Sequence, residues 1–201
     1  MLRCVLFDLD EVLVDYDRSI RVGRLAQLID STPQAVHAAI YESGIEDAAD
    51  RGALTPQAYL DALGAQLGRT VDIKAWTMAR RAATQARPEV FALAHRLAQR
   101  MPVALLTNNG ELMARQLPQI VPALFPLFAG RAFASAEFGA SKPDPRVYTA
   151  CLERLGATPE ATLFVDDNEA NVQGALLAGL QTHHYRDLAG LNAALARFGL
   201  P

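Results

Sequence analysis

Apolar and polar positions divide this chain into two regions with different periods. From residue 88 onward, short continuous apolar runs alternate with longer stretches in which apolar residues recur every three or four positions. The runs predict buried strands at 102–106, 132–135, 162–165 and 180–183, and the periodic stretches predict helices between them. Residues 88–100 place Pro88 at the first helical position and Val90, Leu93, Ala94 and Leu97 on one face. A helix at 111–117 is predicted to stop before Pro118, because proline lacks the N–H that a helix interior needs. Asp144 and Pro145 predict a capped helix whose apolar face is Val147, Tyr148, Cys151 and Leu155 and whose stop is Gly156. Helices at 169–178 and 187–197 follow. A further apolar run at 2–7, broken only by Arg3, predicts a strand at the start. Strands alternating with helices in this way predict an α/β core, a parallel sheet covered on both faces.

Residues 18–86 carry no strand signal. Four helical patterns follow one another at 19–29, 33–43, 56–67 and 73–85. Thr32-Pro33 and Thr55-Pro56 are cap and first-turn pairs, and Gly44 and Gly68 are stops. The expected organisation is a core of residues 1–16 and 87–201 with a small four-helix subdomain, 17–86, inserted after the first strand.

Composition narrows the possible partners. An apolar content of 51% supports a sizeable core, and a net charge of −3 with no basic stripe argues against nucleic acid. Cys4 falls in a strand and Cys151 in a helix, which predicts reduced, buried thiols rather than a disulfide. The chain runs directly into a strand without a signal-peptide pattern, and no apolar run approaches the ~18 residues that span a bilayer. A cytoplasmic protein with no membrane partner is expected.

The candidate chemistry lies at the strand ends. The first apolar run stops at Asp8 and Asp10, two acids that project to one side of an extended chain. Unpaired carboxylates are costly to bury, so a divalent cation is the expected neutraliser. The strand at 102–106 ends in Thr107-Asn108-Asn109. Ser141-Lys142-Pro143-Asp144 precedes the capped helix, and the strand at 162–165 ends in Asp166-Asp167-Asn168. Open parallel sheets bind ligands at the carboxyl ends of their strands, where this topology gathers all four segments. Acids that can hold Mg²⁺, beside a hydroxyl and an ammonium that can hold phosphate oxygens, form a set suited to phosphoryl transfer.

These four segments, in this order, resemble the motifs of the haloacid dehalogenase (HAD) superfamily: Phe7-Asp8-Leu9-Asp10, Thr107-Asn108, Lys142-Pro143 and Phe164-Val165-Asp166-Asp167. The resemblance covers nearly the whole chain and implies a Rossmann-like core with a helical cap. Arg87-Pro88-Glu89-Val90 and Val165-Asp166-Asp167-Asn168 are similar to the sugar-phosphate phosphatase branch. The resemblance implies a Mg²⁺-dependent phosphatase acting on a small phosphorylated metabolite. Asp8 would be the nucleophile and Asp10 the general acid and base. Thr107, Asn108 and Lys142 would bind the phosphate, Asn108 through its backbone N–H. Asp8, the Asp10 carbonyl, Asp166 and Asp167 would form the metal site, with Asp167 ahead of Asp166 as a direct ligand. Glu11 departs from the common family pattern, which usually has glycine at that position and in some branches asparagine. It is expected to tune cap closure or face the leaving group.

Two other activities fit the same fold: a metal-independent 2-haloacid dehalogenase, and a regulatory or binding protein. Asp10, Asp166 and Asp167 count against the first, and a complete set of catalytic positions counts against the second. A phosphomutase is a weaker variant of the main reading. His183 and His184 are expected on a strand edge without a metal role, His37 and His95 on helices in structural roles, and Trp76 inside the cap. Glu46 and Arg51-Gly52 are expected in a loop between the second and third cap helices.

Overall fold

The computed structural model describes residues 2–200. Strand β1 (Cys4–Phe7) runs into a tight turn and a short strand, β2 (Val14–Tyr16). Five helices follow: α1 (Arg18–Ile29), α2 (Pro33–His37), α3 (Ile45–Asp50), α4 (Pro56–Leu67) and α5 (Ile73–Ala82). Strand β3 (Thr84–Ala86) returns the chain to the core, which continues as α6 (Pro88–Ala98), β4 (Val103–Thr107), α7 (Glu111–Ile120), β5 (Ala132–Ala134), α8 (Pro145–Leu155), β6 (Thr162–Asp166), α9 (Glu169–Leu177), β7 (Gln181–His184) and α10 (Leu188–Ala196).

The main sheet has the order β5-β4-β1-β6-β7, and every pairing is parallel. β1 lies at its centre, so the chain builds outward on one side and then crosses to the other. The crevice created by that reversal opens beyond the carboxyl end of β1. Side-chain parity explains why β1, β4 and β6 read as continuous apolar runs. Val5 and Phe7 pack with Val103, Leu105, Leu163 and Val165 against α6 on one face. Leu6, Ala104, Leu106 and Phe164 pack on Val147, Tyr148 and Cys151 of α8 on the other. A strand covered on both faces needs apolar residues at every position. Each fully buried Leu or Phe contributes about 1.5–3 kcal/mol.

The helical insert is joined to the core by an antiparallel ribbon, with Val14 opposite Ala86 and Tyr16 opposite Thr84. Three expectations are corrected by the structure. The stretch 73–85 is not one helix, because α5 ends at Ala82, and residues 84–86 are a strand. Pairing with β2 supplies hydrogen bonds that local sequence does not reveal, and tertiary context overrides weak propensity. The segment after Gly44 is likewise not a loop throughout, since Glu46 lies in α3. The stretch 33–43 is helical, with a wider π turn at Ala38–Glu42. α7 also continues through Pro118 to Ile120. Pro118 falls in the last turn, where one missing N–H is outweighed by burial of Leu117 and Ile120.

The insert is seated directly on the core. Ser135 Oγ donates to the Asp50 carbonyl at 2.8 Å, and Thr77 Oγ1 donates to Gln116 Oε1 at 3.3 Å. A Cβ added to Gly52 would stand 2.5 Å from the Ala136 carbonyl oxygen, so only glycine permits this approach.

Candidate active site

The strand ends bring the expected residues together. Asp8 follows β1 directly, and its backbone N–H donates to the Val165 carbonyl at 2.8 Å. Its carboxylate lies 2.7 Å from Lys142 Nζ, which also reaches Asp166 Oδ2 at 2.6 Å. Lys142 and Asp166 are almost wholly buried. Asp166 is held in place, because Asn168 N–H donates to it at 2.8 Å and Asn171 Nδ2 at 3.1 Å. Carboxylate oxygens of Asp8, Asp166 and Asp167 all lie within 4.8 Å of one another, and Asp167 is the least buried of the three. His184 on the edge strand β7 donates through Nε2 to the Asp167 carbonyl at 2.7 Å, which fixes that acid's backbone.

The electrostatics follow from burial. Desolvation, opposed by Lys142 and reinforced by Asp166, pushes the Asp8 carboxyl up to about 8. Burial also raises Asp167, and the Asp166 carboxylate adds to it. Burial alone would lower Lys142, yet the two carboxylates beside it hold it above its ordinary value, so it remains an ammonium. A cluster of carboxylates kept from ionising freely, with hard oxygen donors converging, fits Mg²⁺.

The second strand end supports the first. Thr107 is buried at the end of β4, and its Oγ1 accepts from Asn109 Nδ2 at 2.8 Å. The Asn108 side chain clamps the loop that carries Lys142. Its Nδ2 donates to the Lys142 carbonyl and its Oδ1 accepts from the Lys142 N–H, both at 2.8 Å. This clamp was not evident from sequence, where Asn108 reads only as a turn residue.

Asp10 stands apart from the carboxylate cluster. Its side chain meets Arg80 of α5, whose Nη2 lies 2.8 and 2.7 Å from the two carboxylate oxygens. Asp10, Arg80, Asn108, Arg21, Glu46 and Tyr41 line a cavity of about 280 Å³ between core and insert. Arg80 is a site residue that sequence reasoning missed. A faint signal exists, because Arg80 falls one helical turn after Trp76, on the apolar face of α5. Trp76 itself is buried in the insert, and its Nε1 donates to Tyr59 OH at 3.2 Å.

Glu11 has φ +60°, in the left-handed region that glycine adopts without penalty. Its carboxylate pairs with Arg87 Nη2 at 2.9 Å and accepts from the Tyr16 N–H at 3.1 Å. Arg87 Nη1 also donates to the Glu11 carbonyl. Glu11 therefore bridges the two connections of the insert and lies outside the carboxylate cluster. Glu11→Gly relieves roughly 1 kcal/mol of backbone strain and removes a half-exposed ion pair of small value. We expect near-unchanged melting, unchanged Mg²⁺ affinity by calorimetry, and altered kcat or substrate ranking. Identical kinetics on every substrate would make Glu11 a passive surface residue, and a large loss of Mg²⁺ affinity would place it in the metal site.

Comparison with known proteins gives this geometry its context. The haloacid dehalogenase-like hydrolase family matches residues 2–179, and the chain belongs to that family. A phosphatase of Mycobacterium tuberculosis (strain CDC 1551 / Oshkosh) is 38% identical over 107 residues, which are 47% of this chain and 48% of that protein. A phosphoserine phosphatase of Thermus thermophilus is 35% identical over 96 residues, 47% of this chain and 38% of that one. These alignments span about half or less of the relatives' own length. An HAD family enzyme of Bacteroides thetaiotaomicron, solved with magnesium and inorganic phosphate, superposes with a TM-score of 0.78 over 95% of this chain and 99% of its own at 23% identity. L-2-haloacid dehalogenase of Xanthobacter autotrophicus superposes with a TM-score of 0.66 over 100% of this chain and 85% of its own at 20% identity. At these identities the two structures show a shared fold, an α/β Rossmann-like core. No helix among the described residues is long and apolar enough to cross a membrane.

Proposed function

We propose that this protein is a Mg²⁺-dependent phosphatase that hydrolyses a small phosphate monoester, a sugar phosphate, through an aspartyl-phosphate intermediate. The observation that carries the reading is Asp8. It is a buried carboxylate at the mouth of the sheet, 2.7 Å from the Lys142 ammonium and grouped with Asp166 and Asp167. In this reading 17–86 acts as a cap over a catalytic core of 1–16 and 87–201. Free, buried Cys4 and Cys151 suit a reducing compartment, the cytoplasm.

An Asp8 oxygen forms a bond to phosphorus as the bond to the leaving oxygen breaks, and Asp10 gives that oxygen a proton. Water then attacks phosphorus, Asp10 takes its proton, and the bond from Asp8 to phosphorus breaks. Lys142 and Thr107 hold phosphoryl oxygens and offset the charge that develops there. The Asn108 clamp keeps Lys142 in place and leaves the Asn108 backbone N–H for the substrate. Asp8, Asp167, Asp166 and the Asp10 carbonyl would hold Mg²⁺, which when bound supplies Lewis-acid neutralisation of the phosphate.

A screen of sugar phosphates, nucleotides and aryl phosphates, with Mg²⁺ and with excess chelator, tests this. Phosphate release is expected only with the metal. Full activity in chelator would overturn the reading and favour the dehalogenase alternative. No activity on any ester would favour a binding role.

Stability should follow the same site. Asp8 and Asp167 are raised in the folded state, so their contribution is fully present below the ordinary carboxylate value of 3.8 and is lost as pH rises, for Asp8 through about 8. Metal binding competes with those protons. The gain in melting temperature from saturating Mg²⁺ should therefore grow between about pH 5.5 and pH 8, reaching roughly 5–10 °C. A gain that shrinks as pH rises would contradict this assignment of ligands.

A further inference from the structure

We infer that Arg80 is the residue through which the helical insert senses the substrate. An oxygen-bearing leaving group takes the guanidinium from Asp10, and Asp10 is then free to face the scissile oxygen. This inference rests on the phosphatase reading for the role of Asp10, but on the structure for the role of Arg80.

Three observations carry it. The first is incomplete pairing. Arg80 is 2% exposed, its Nη2 alone spans both oxygens of Asp10, and its Nε is buried without a partner. A guanidinium offers five donors in a fixed fork, and a buried donor left unpaired is costly. The neighbouring Arg21 provides the contrast. It is equally buried, but both of its terminal nitrogens are paired, with Glu46 and Tyr59 of the insert and with Tyr16 of the ribbon.

The second observation is support without closure. The Arg80 guanidinium stacks on the Tyr16 ring at 3.6 Å, and Thr84 Oγ1 donates to the Arg80 carbonyl at 2.8 Å. Tyr16 belongs to β2 and Thr84 to β3, so both supports come from the ribbon that joins insert to core. The plane of the guanidinium is fixed while its edge remains free to change partner.

The third observation is position. Arg80 and Asp10 both line the 280 Å³ cavity, together with hydrogen-bonding groups from the insert, Tyr41 and Glu46, and Asn108 from the core. That lining suits a hydroxyl-bearing leaving group. A buried ion pair between insert and core gives little net stability for its desolvation cost. Its value here lies in exchange. In the resting protein Arg80 is matched by Asp10. With substrate bound, hydroxyl oxygens of the leaving group take the donors of Arg80, including the one now unpaired.

Two measurements test the exchange. The first compares kcat and KM of wild type, Arg80→Lys and Arg80→Met on a hexose phosphate and on 4-nitrophenyl phosphate, whose leaving group has no hydroxyls. Arg80→Met should lose roughly tenfold to a hundredfold more kcat/KM on the hexose phosphate than on the aryl ester, mostly in KM. Arg80→Lys should recover part of that loss. Equal losses on both esters would mean that Arg80 only fastens the insert to the core and would overturn the inference.

The second measurement needs no turnover. Trp76 is the chain's single tryptophan and lies one turn from Arg80 on α5. In the Asp8→Asn background, titration with the hexose phosphate should change Trp76 emission, and adding Arg80→Met should abolish the change. An emission change that persists without Arg80 would overturn the inference. Absence of phosphate release by the wild type would count against the phosphatase reading alone, because this titration would still decide the role of Arg80.

Discussion

Asp8→Asn should abolish phosphate release while leaving the protein folded and, without metal, at least as stable as the wild type. The loss follows from chemistry, since a carboxamide cannot supply the anionic oxygen that bonds to phosphorus. The stability follows from burial. The Asp8 carboxyl is pushed up to about 8 because ionising it in this site is unfavourable. An isosteric neutral group removes that cost, and Lys142 retains Asp166 as a partner at 2.6 Å. The variant should melt at or above the wild-type temperature in chelator and gain less from Mg²⁺. Near-normal turnover by Asp8→Asn would eliminate covalent catalysis at this residue.

Lys142→Met should be the most damaging substitution to the fold as well as to activity. The ammonium is the one cation between Asp8 and Asp166 among the described residues. Removing it leaves two facing carboxylates at a buried position, and breaking such a pair costs about 3–5 kcal/mol. Turnover should fall below detection, because in the proposed reaction Lys142 also holds the phosphoryl oxygens. The stability loss should have a characteristic pH dependence. Protonating Asp8, whose carboxyl is pushed up to about 8, relieves the repulsion, so the deficit relative to wild type should be largest in alkaline solution and shrink as pH falls. Mg²⁺ should recover part of it. A deficit independent of both pH and Mg²⁺ would mean that Lys142 acts through packing alone.

The elements that sequence made legible are those whose determinants are local. β1, β4 and β6 are unbroken apolar runs because both faces of each are covered, and that pattern needs no partner to be recognised. α8 was legible from its Asp144 cap, Pro145 and Gly156. The ribbon of β2 and β3 was not, since three-residue strands exist only through each other. α3 was hidden for a related reason. It is a six-residue helix with no side-chain cap after Gly44, and only Ala49 is fully buried. The site divides in the same way. A parallel sheet collects strand ends, so Asp8, Thr107, Lys142 and Asp166 could be placed together before any distance was known. The Arg80–Asp10 contact spans 70 positions along the chain and depends on how the insert is seated, which no motif records.

The insert and the core divide the work in this account. In the proposed reaction, residues at strand ends handle phosphorus, and residues of α5 and the ribbon handle the rest of the substrate. Glu11 links the two, because it sits directly after Asp10 and ties the ribbon through Arg87. Substrate preference should then respond to changes in the insert, and the rate of phosphoryl transfer to changes at the strand ends.

The central claim is that Asp8 becomes phosphorylated during turnover. Rapid mixing with substrate and Mg²⁺, an acid quench and peptide mass mapping test it most directly. A phosphoryl group is expected on Asp8 within the peptide that follows Arg3, present in wild type and absent from Asp8→Asn. Steady phosphate release with no phosphorylated peptide at any quench time, or a phosphoryl group on another residue, would contradict the account.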